Sequence, residues 1–541
     1  MKRISGNIVD VLNSRIYAGT LVISEGRIAD IIREETGDDT YIMPGFVDAH
    51  IHIESSMLTP AEFSRIATVH GTVATVSDPH EIANVLGIEG VKYMIEDARK
   101  SPVKICFGAP SCVPATPFET AGAVLGVEEV EELLKLSEIG YLSEVMNFPG
   151  VLNGDKEIMD KIRVAAEYSK PVDGHAPGLR GGELERYINA GISTNHECLS
   201  CDEALENIEK GVKVQIRKGS AADIFEECLP ILDEHYESCM FCSDDKHPDD
   251  LLKGHINDMV KGAIDYGVDV MKVLRVASVN PALHYRLDVG LLRKGDPADF
   301  IRVDNLGDLN ILETYINGRA VAREGVPLIP RRASKIVNNF HAAPKEPASF
   351  AIPCRGNRIN IIKATDGTLF TDRLIEIPKV ENGCAMSDTK RDILKLAVVN
   401  RYRDTKPAVG FAGNFGIKTG AIASSVAHDS HNIVAVGVSD EDICRVVNLV
   451  ICNRGGIGAV SGSREMVLPL PIAGIMSDKD YVGVADKYIK LDGMAKSMGS
   501  KLRAPFMTLS FMALLVIPGI KMSDKGLFDA EKFRMMDVFC G

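Results

Sequence analysis

The feature that most constrains this chain is an eightfold alternation across residues 43–284. Short β-rich runs end near His52, Ser77, Ala109, Met146, His175, His196, Gln215 and Asp244, with amphipathic stretches such as 127–136 and 155–168 between them. Strands alternating with helices predict a parallel sheet with crossover helices, and eight such units fit a closed barrel. Every strand of such a barrel ends on one face, so residues far apart in sequence can converge there on one pocket.

The flanks read differently. Residues 7–11, 19–23 and 27–32 have strand character, punctuated by Gly26 and Gly37, and residues 290–301 and 313–319 return to strand-and-turn chemistry. The expectation is one β-unit built from 1–42 and 285–335 around a barrel at 43–284. Pro327, Pro330, Pro344, Pro347 and Pro353 mark a boundary, after which 340–541 forms a separate α+β domain. Within it, 355–377 is expected to be β-rich and 388–402 helical.

Charge and hydropathy narrow the partners. Lys and Arg total 61 against 75 Asp and Glu, a net −14 that argues against a dedicated binder of nucleic acid or anionic membrane and favours a small or neutral ligand. The strongly apolar run 506–517 stops at Pro518, short of the ~20 residues that a spanning helix needs. No apolar h-region follows Met1-Lys2-Arg3, so a cytoplasmic location is expected, with the 12 cysteines as thiols.

The chemistry concentrates at the run ends. His50 and His52 sit two apart on a strand, which puts both imidazoles on one face, where they could share a metal ion or form only a polar patch. Of only 13 histidines, His175 closes the fifth run and His196 the sixth, while Asp244 closes the eighth. Asp244 could complete a metal's shell and accept a proton. Glu144, at the end of the fourth run, is costly among apolar neighbours unless paired or metal-bound, which makes it a candidate bridge between two ions. Asp78, His80 and Glu81 close the second run as candidate shuttles or substrate contacts, with Glu197 as the runner-up. Alternatively, Asp78-Pro79 simply starts a helix carrying Glu81 in its first turn.

The His50-x-His52 strand after Met43-Pro44-Gly45, the later His175, His196 and Asp244, and the segment Gly295-Asp296-Pro297-Ala298-Asp299 resemble the amidohydrolase superfamily. Asp48-Ala49-His50-Ile51-His52-Ile53-Glu54-Ser55-Ser56, Ser77-Asp78-Pro79-His80-Glu81-Ile82-Ala83-Asn84-Val85 and Ala427-His428-Asp429-Ser430-His431-Asn432 resemble, more closely, the motifs of the adenine deaminase family. This resemblance covers essentially the whole chain, including a C-terminal domain that ordinary amidohydrolases lack. It implies a distorted (β/α)8 TIM-type barrel, a small β-sandwich from both flanks, and two divalent ions, Mn2+ or Fe2+. His50, His52 and Asp244 would hold one ion and His175 and His196 the other, with Glu144 and a hydroxide bridging them. The implied reaction is hydrolysis of adenine to hypoxanthine and ammonia, with Asp244 relaying the proton. The expected partners are a purine base and water, in a homo-oligomer, without nucleic acid or membrane.

Glutamate on the fourth run, in place of the carboxylated lysine of many amidohydrolases, weakens a dihydroorotase or hydantoinase reading. An N6-substituted adenine or another cyclic amidine or amide keeps the same fold and metals with a different substrate. A non-catalytic scaffold is the alternative of a different class, and the complete ligand set argues against it.

Other signals carry less. Cys198-x-x-Cys201 and Cys239-x-x-Cys242 have zinc-like spacing but lie within barrel runs, where buried apolar thiols are the simpler reading. His52-x-Glu54 imitates part of a nucleoside-deaminase zinc signature, but neither cysteine pair follows a proline. Glu54 either touches substrate or caps the following loop. Gly455-Gly456-Ile457-Gly458-Ala459 lacks full phosphate-loop spacing and is read as a tight turn. His428, Asp429 and His431 either reach the barrel mouth, bind a further ion, or anchor a loop.

Overall fold

The structure is a computed structural model that describes residues 1–540. Eight short strands succeed one another in its first half: β1 (Phe46–Ile51), β2 (Thr72–Ser77), β3 (Lys104–Ala109), β4 (Ile139–Val145), β5 (Val172–Gly174), β6 (Thr194–Asn195), β7 (Lys213–Arg217) and β8 (Cys239–Cys242). Strands β1 to β5 pair in chain order as one parallel sheet and β6 to β8 as another. Ser193 N–H donates to Val172 O at 2.9 Å across the seam, and Asp244 N–H donates to His50 O at 2.9 Å, which links β8 back to β1. The result is a curled, TIM-barrel-like parallel sheet within an α/β chain.

All residues of β1 and β2 are buried, as expected of parallel strands covered on both faces. Both helices expected from periodicity are present, as Val127–Leu134 and Lys156–Glu167. The second starts where the Asp155 carboxylate accepts from the N–H groups of Glu157 and Ile158, and it buries Ile158, Ile162, Val164 and Ala165.

The flanks combine in one eight-stranded sheet. Lys2–Asp10, Arg15–Ser24, Arg27–Arg33 and Tyr41–Pro44 come from the N-terminal side, and Phe300–Val303, Ile311–Ile316, Arg319–Arg323 and Val326–Pro327 from the other. Tyr41–Pro44 and Phe300–Val303 pair antiparallel where the two halves meet. Ile28 N–H donates to Asp296 O at 2.9 Å, which curls the sheet over a core including Ile8, Leu21, Ile28 and Phe300.

A second eight-stranded sheet, spanning Ile359–Ala364 to Arg464–Pro469, organises the C-terminal part. Here two expectations are corrected. Residues 388–402 are not a helix: Ile393–Val399 is a fully buried central strand between Ala408–Gly413 and Ile433–Gly437. A strand buried on both faces has no two-residue alternation, so periodicity cannot separate it from a helix; its β-branched residues are the better signal. Gly455–Ala459 is not an isolated turn either, because Gly456–Ser461 is a strand. A Cβ on Gly455 would lie 2.4 Å from Gly474 Cα, so this glycine serves close backbone approach.

The C-terminal part sits on loops that follow the barrel strands. Ser477 N–H donates to Met57 O at 2.8 Å, Thr120 N–H to Asp524 Oδ1 at 2.9 Å, and Ser523 Oγ to Phe118 O at 2.7 Å. The apolar run 506–517 overlaps the buried helix Pro505–Phe511, and Met507, Phe511, Leu514 and Ile517 pack with Leu369 and Ala221. No helix among the described residues is long and apolar enough to cross a membrane.

Candidate metal centre

The site begins with β1. Asp48, two residues before His50, accepts from Ser243 N–H at 3.1 Å and from the Ser243 hydroxyl, and faces His255 Nε2 at 2.8 Å. These contacts lock β1 against the end of β8. His52 Nδ1 lies 3.1 Å from Asp78 O. A carbonyl can only accept, so Nδ1 carries a proton, which leaves Nε2 as the nitrogen that would face a metal. His50 Nε2 and His52 Nε2 converge to 3.2 Å.

Glu144, at the end of β4, lies between two histidine pairs. Its Oε2 is 2.5 Å from His175 Nδ1 and 3.1 Å from His196 Nε2, while its Oε1 is 3.3 Å from His52 Nε2 and 4.0 Å from His50 Nε2. Asp244 Oδ1 lies 3.2 Å from His52 Nε2 and 3.5 Å from His50 Nε2. All six candidate ligands are therefore brought together and buried. His196 stacks on His50 at 4.0 Å, and its ligand atoms group both with His50 and Asp244 and with Glu144 and His175.

Electrostatics favour a bound cation. Burial alone would push the Glu144 carboxyl upward, but His175 and His196 reverse this and hold it well below the usual range. Burial likewise opposes ionisation of Asp244, but Arg217, His50 and His52 hold it well below its ordinary value. Burial, followed by the His50 charge, pushes His196 down to about 4, which keeps it neutral as a ligand must be. Buried His50 Nδ1, His175 Nε2 and His196 Nδ1 have no hydrogen-bond partner among the described residues. Despite burial, the carboxylates raise the pKa of His50, His52 and His175, so an ion would bind there by displacing protons; the ionised carboxylates, and ligand atoms within 4.8 Å of one another in each group, fit divalent ions.

The second-run residues lie beside this centre. His80 Nδ1 is 3.1 Å from Asp78 Oδ2 and 3.5 Å from Glu144 Oε1; its Nε2 is 3.5 Å from Glu81 Oε1 and 3.6 Å from Asp429 Oδ1. Despite burial, Asp78 and Glu81 raise the His80 pKa well above its ordinary value. Asp78 also accepts from His80 N–H at 3.0 Å, the helix-start role weighed above, as the helix His80–Leu86 begins there. Glu81 is engaged on both oxygens, by His428 Nδ1 and His431 Nε2. Glu54 accepts from Ile82 N–H at 3.2 Å, and burial raises its carboxyl to about 7.

Sequence reasoning passed over Arg217. It shares the inward face of β7 with Gln215, two residues earlier, and this alternation was the available signal. Arg217 Nη1 lies 2.8 Å from Asp244 Oδ2, and the guanidinium engages both oxygens of Glu197. Glu197 is thus an ion-pair partner rather than a free acid. In metal-free protein, Arg217→Met is expected to reduce unfolding free energy by roughly 3–5 kcal/mol, because two buried carboxylates lose their counter-charge. Urea unfolding checks this, and an unchanged midpoint would contradict it.

The cysteine pairs have their bland role. Cys198 and Cys239 lie in the apolar core with Val214, Ile216 and Phe241, and Cys242 packs with Met240 and Tyr285. All 12 cysteines are free thiols.

A small pocket of about 20 Å³ lies over the cluster. Its walls include Glu144, His175 and Asp244 from the barrel, and Leu369, His428, Asp429 and Leu514 from the C-terminal part.

Comparisons with known proteins show the family. Residues 41–321 match the amidohydrolase family, which defines the class, and residues 368–534 match the adenine deaminase C-terminal domain. A protein of Salinibacter ruber named adenine deaminase is 53% identical over 538 residues, covering 99% of this chain and 98% of its own. One from a Sulfurovum species with the same name is 55% identical, covering 98% of each chain, and one from Methanosarcina barkeri is 48% identical over the full length of both. Within the amidohydrolases, this chain belongs to the adenine deaminase family.

Proposed function

We propose that this protein hydrolyses adenine to hypoxanthine and ammonia at a centre of two divalent ions, Mn2+ or Fe2+. The observation that carries this reading is Glu144: each of its oxygens faces a different histidine pair, in a chain whose full-length relatives are named for this activity. His50, His52 and Asp244 would hold one ion, His175 and His196 the other, and Glu144 would join them. Bound there, the ions would lower the pKa of water from 15.7 to about 7 and so supply a nucleophile at neutral pH.

The remaining chemistry belongs to side chains. Asp244, ionised and held through Oδ2 by Arg217, leaves Oδ1 to take a proton from the attacking water. His80, made cationic by Asp78 and Glu81, protonates ring nitrogen N1 as the water oxygen bonds to C6. Asp244 passes its proton to the exocyclic amine, the C6–N bond breaks, and ammonia leaves. As the C6–N bond breaks, the second water proton leaves the C6 oxygen and restores His80, so one water is consumed, C6 becomes a carbonyl with N1 protonated, and both side chains return to their starting states.

The architecture behind the site is read as a distorted (β/α)8 barrel at 43–284, a β-sandwich from 1–42 and 285–335, and a C-terminal α+β domain at 340–541. The curled parallel sheet, the shared flanking sheet and the separate C-terminal sheet support that division. Substrate choice is tested by comparing ammonia release from adenine with amine release from N6-methyladenine. A higher kcat/KM for adenine is expected, and a clear preference for the substituted base would overturn the assignment.

A further inference from the structure

The loop 427–432 of the C-terminal part closes on the start of the barrel helix His80–Leu86. His428 Nδ1 and His431 Nε2 lie against the two oxygens of Glu81, and Asp429 Oδ1 is 3.6 Å from His80 Nε2. A loop places such side chains only as firmly as its own backbone is supported. The support for this one comes from behind, from residues that do not line the pocket.

Arg401 follows the central strand Ile393–Val399 and is fully buried, yet no carboxylate pairs with it among the described residues. A buried charge without a counter-ion is costly unless its donors are all but fully used. Arg401 Nη1 donates to His431 O at 3.3 Å, and Nη2 donates to Ala473 O at 2.6 Å and to Asn338 Oδ1 at 2.9 Å. The guanidinium carbon lies 5.0 Å from the Phe340 ring and 5.5 Å from that of Tyr402. Gly474 makes room for the fork, because a Cβ there would sit 2.6 Å from both Nη1 and Nη2. Neighbouring groups hold the same loop: Arg401 N–H donates to Asn432 Oδ1 at 3.1 Å, and the Tyr402 hydroxyl donates to Ser430 O at 2.6 Å. Two successive carbonyls of the loop, at 430 and 431, are thus held from residues 402 and 401, while the side chains at 428 and 431 face Glu81 on the barrel. An ammonium has no planar fork to span three separate acceptors, so lysine would not serve here.

Resting on the proposed reaction for its kinetic consequence, we propose that Arg401 is a positioning residue for catalysis. It supports the loop 427–432 from behind, keeps His428 and His431 on Glu81, and through Glu81, 3.5 Å from His80 Nε2, sets the place of His80 beside the metal cluster.

The test is a double-mutant cycle on full-length protein loaded with Mn2+, read by adenine turnover and, separately, by backbone hydrogen exchange. Arg401→Lys is expected to lower kcat about 10- to 100-fold with KM and metal content nearly unchanged, because a displacement of about 1 Å at a reacting group costs that much. Glu81→Gln lowers kcat by itself, and adding Arg401→Lys to it should cost less than about threefold more, since the second change acts through a contact that the first has already weakened. Amides of residues 80–86 should exchange at least about tenfold faster in Arg401→Lys than in wild type. Tyr402→Phe removes one hydroxyl donor and keeps the ring, so it tests the same link if the lysine variant folds poorly; its kcat should fall about 3- to 10-fold with the same non-additivity. A merely structural Arg401 would lower the folded fraction but leave kcat per metal-loaded site unchanged, or its effect would multiply in full on the Glu81→Gln background; either result, or unchanged exchange at 80–86, would overturn the inference. Faster exchange at 80–86 in a protein whose wild type releases no ammonia from adenine would uphold the link between Arg401 and Glu81 and overturn the proposed reaction instead.

Discussion

Glu144→Gln is expected to bind no more than one divalent ion per chain and to lose turnover by at least about 10³-fold, since proper placement of reacting groups alone is worth more than that. Both oxygens of this carboxylate are committed: Oε2 faces His175 and His196, and Oε1 faces His52. An amide is neutral and offers one oxygen, so it cannot serve two cations. The substitution also removes the charge that offsets burial at His175, leaving less attraction for metal on that side. Metal analysis after exhaustive dialysis checks the first part, and two retained ions would contradict the bridging role.

Asp244→Asn should behave differently. It keeps an oxygen ligand near His50 and His52 but cannot take a proton, so kcat should fall by about 10²–10⁴-fold while metal content is largely retained. Arg217 makes the case specific. It occupies Oδ2 at 2.8 Å and holds the carboxyl well below its usual pKa, leaving Oδ1 to face the cluster. If the amide places its nitrogen towards Arg217, the pair becomes repulsive, and a modest stability loss should accompany the catalytic one. Steady-state rates with metal content measured on the same samples test this; unchanged turnover would remove Asp244 from the proton relay.

The barrel half of the molecule was legible because its β-runs are short, apolar and punctuated, and because their ends carry the histidines. The expected run ends at Ser77 and Ala109 coincide with the strand ends, and those at His52, Met146, His175 and His196 fall one residue beyond. Glu144 could be found for the same reason, as a charge that an apolar run cannot bury without a partner. Arg217 was missed because no metal or nucleophile motif includes it; its importance lies in a contact with Asp244 across 27 positions. The C-terminal region was harder. Ile393–Val399 is buried on both faces, which erases the alternation a strand would otherwise show. Which surface His428, Asp429 and His431 would face depended on how one domain docks on another, and no local pattern encodes docking. The structure places His428 and His431 on Glu81 and Asp429 at the pocket wall.

The most direct test of the central claim is ammonia release from adenine by chelator-stripped protein titrated with Mn2+ and, separately, with Fe2+. Two buried half-sites joined by Glu144 predict activity that is absent without metal, rises with added ion and saturates at two equivalents per chain. Saturation at one equivalent, or turnover by the stripped protein, would contradict a two-ion centre. Absence of ammonia under both metals would contradict adenine as the substrate.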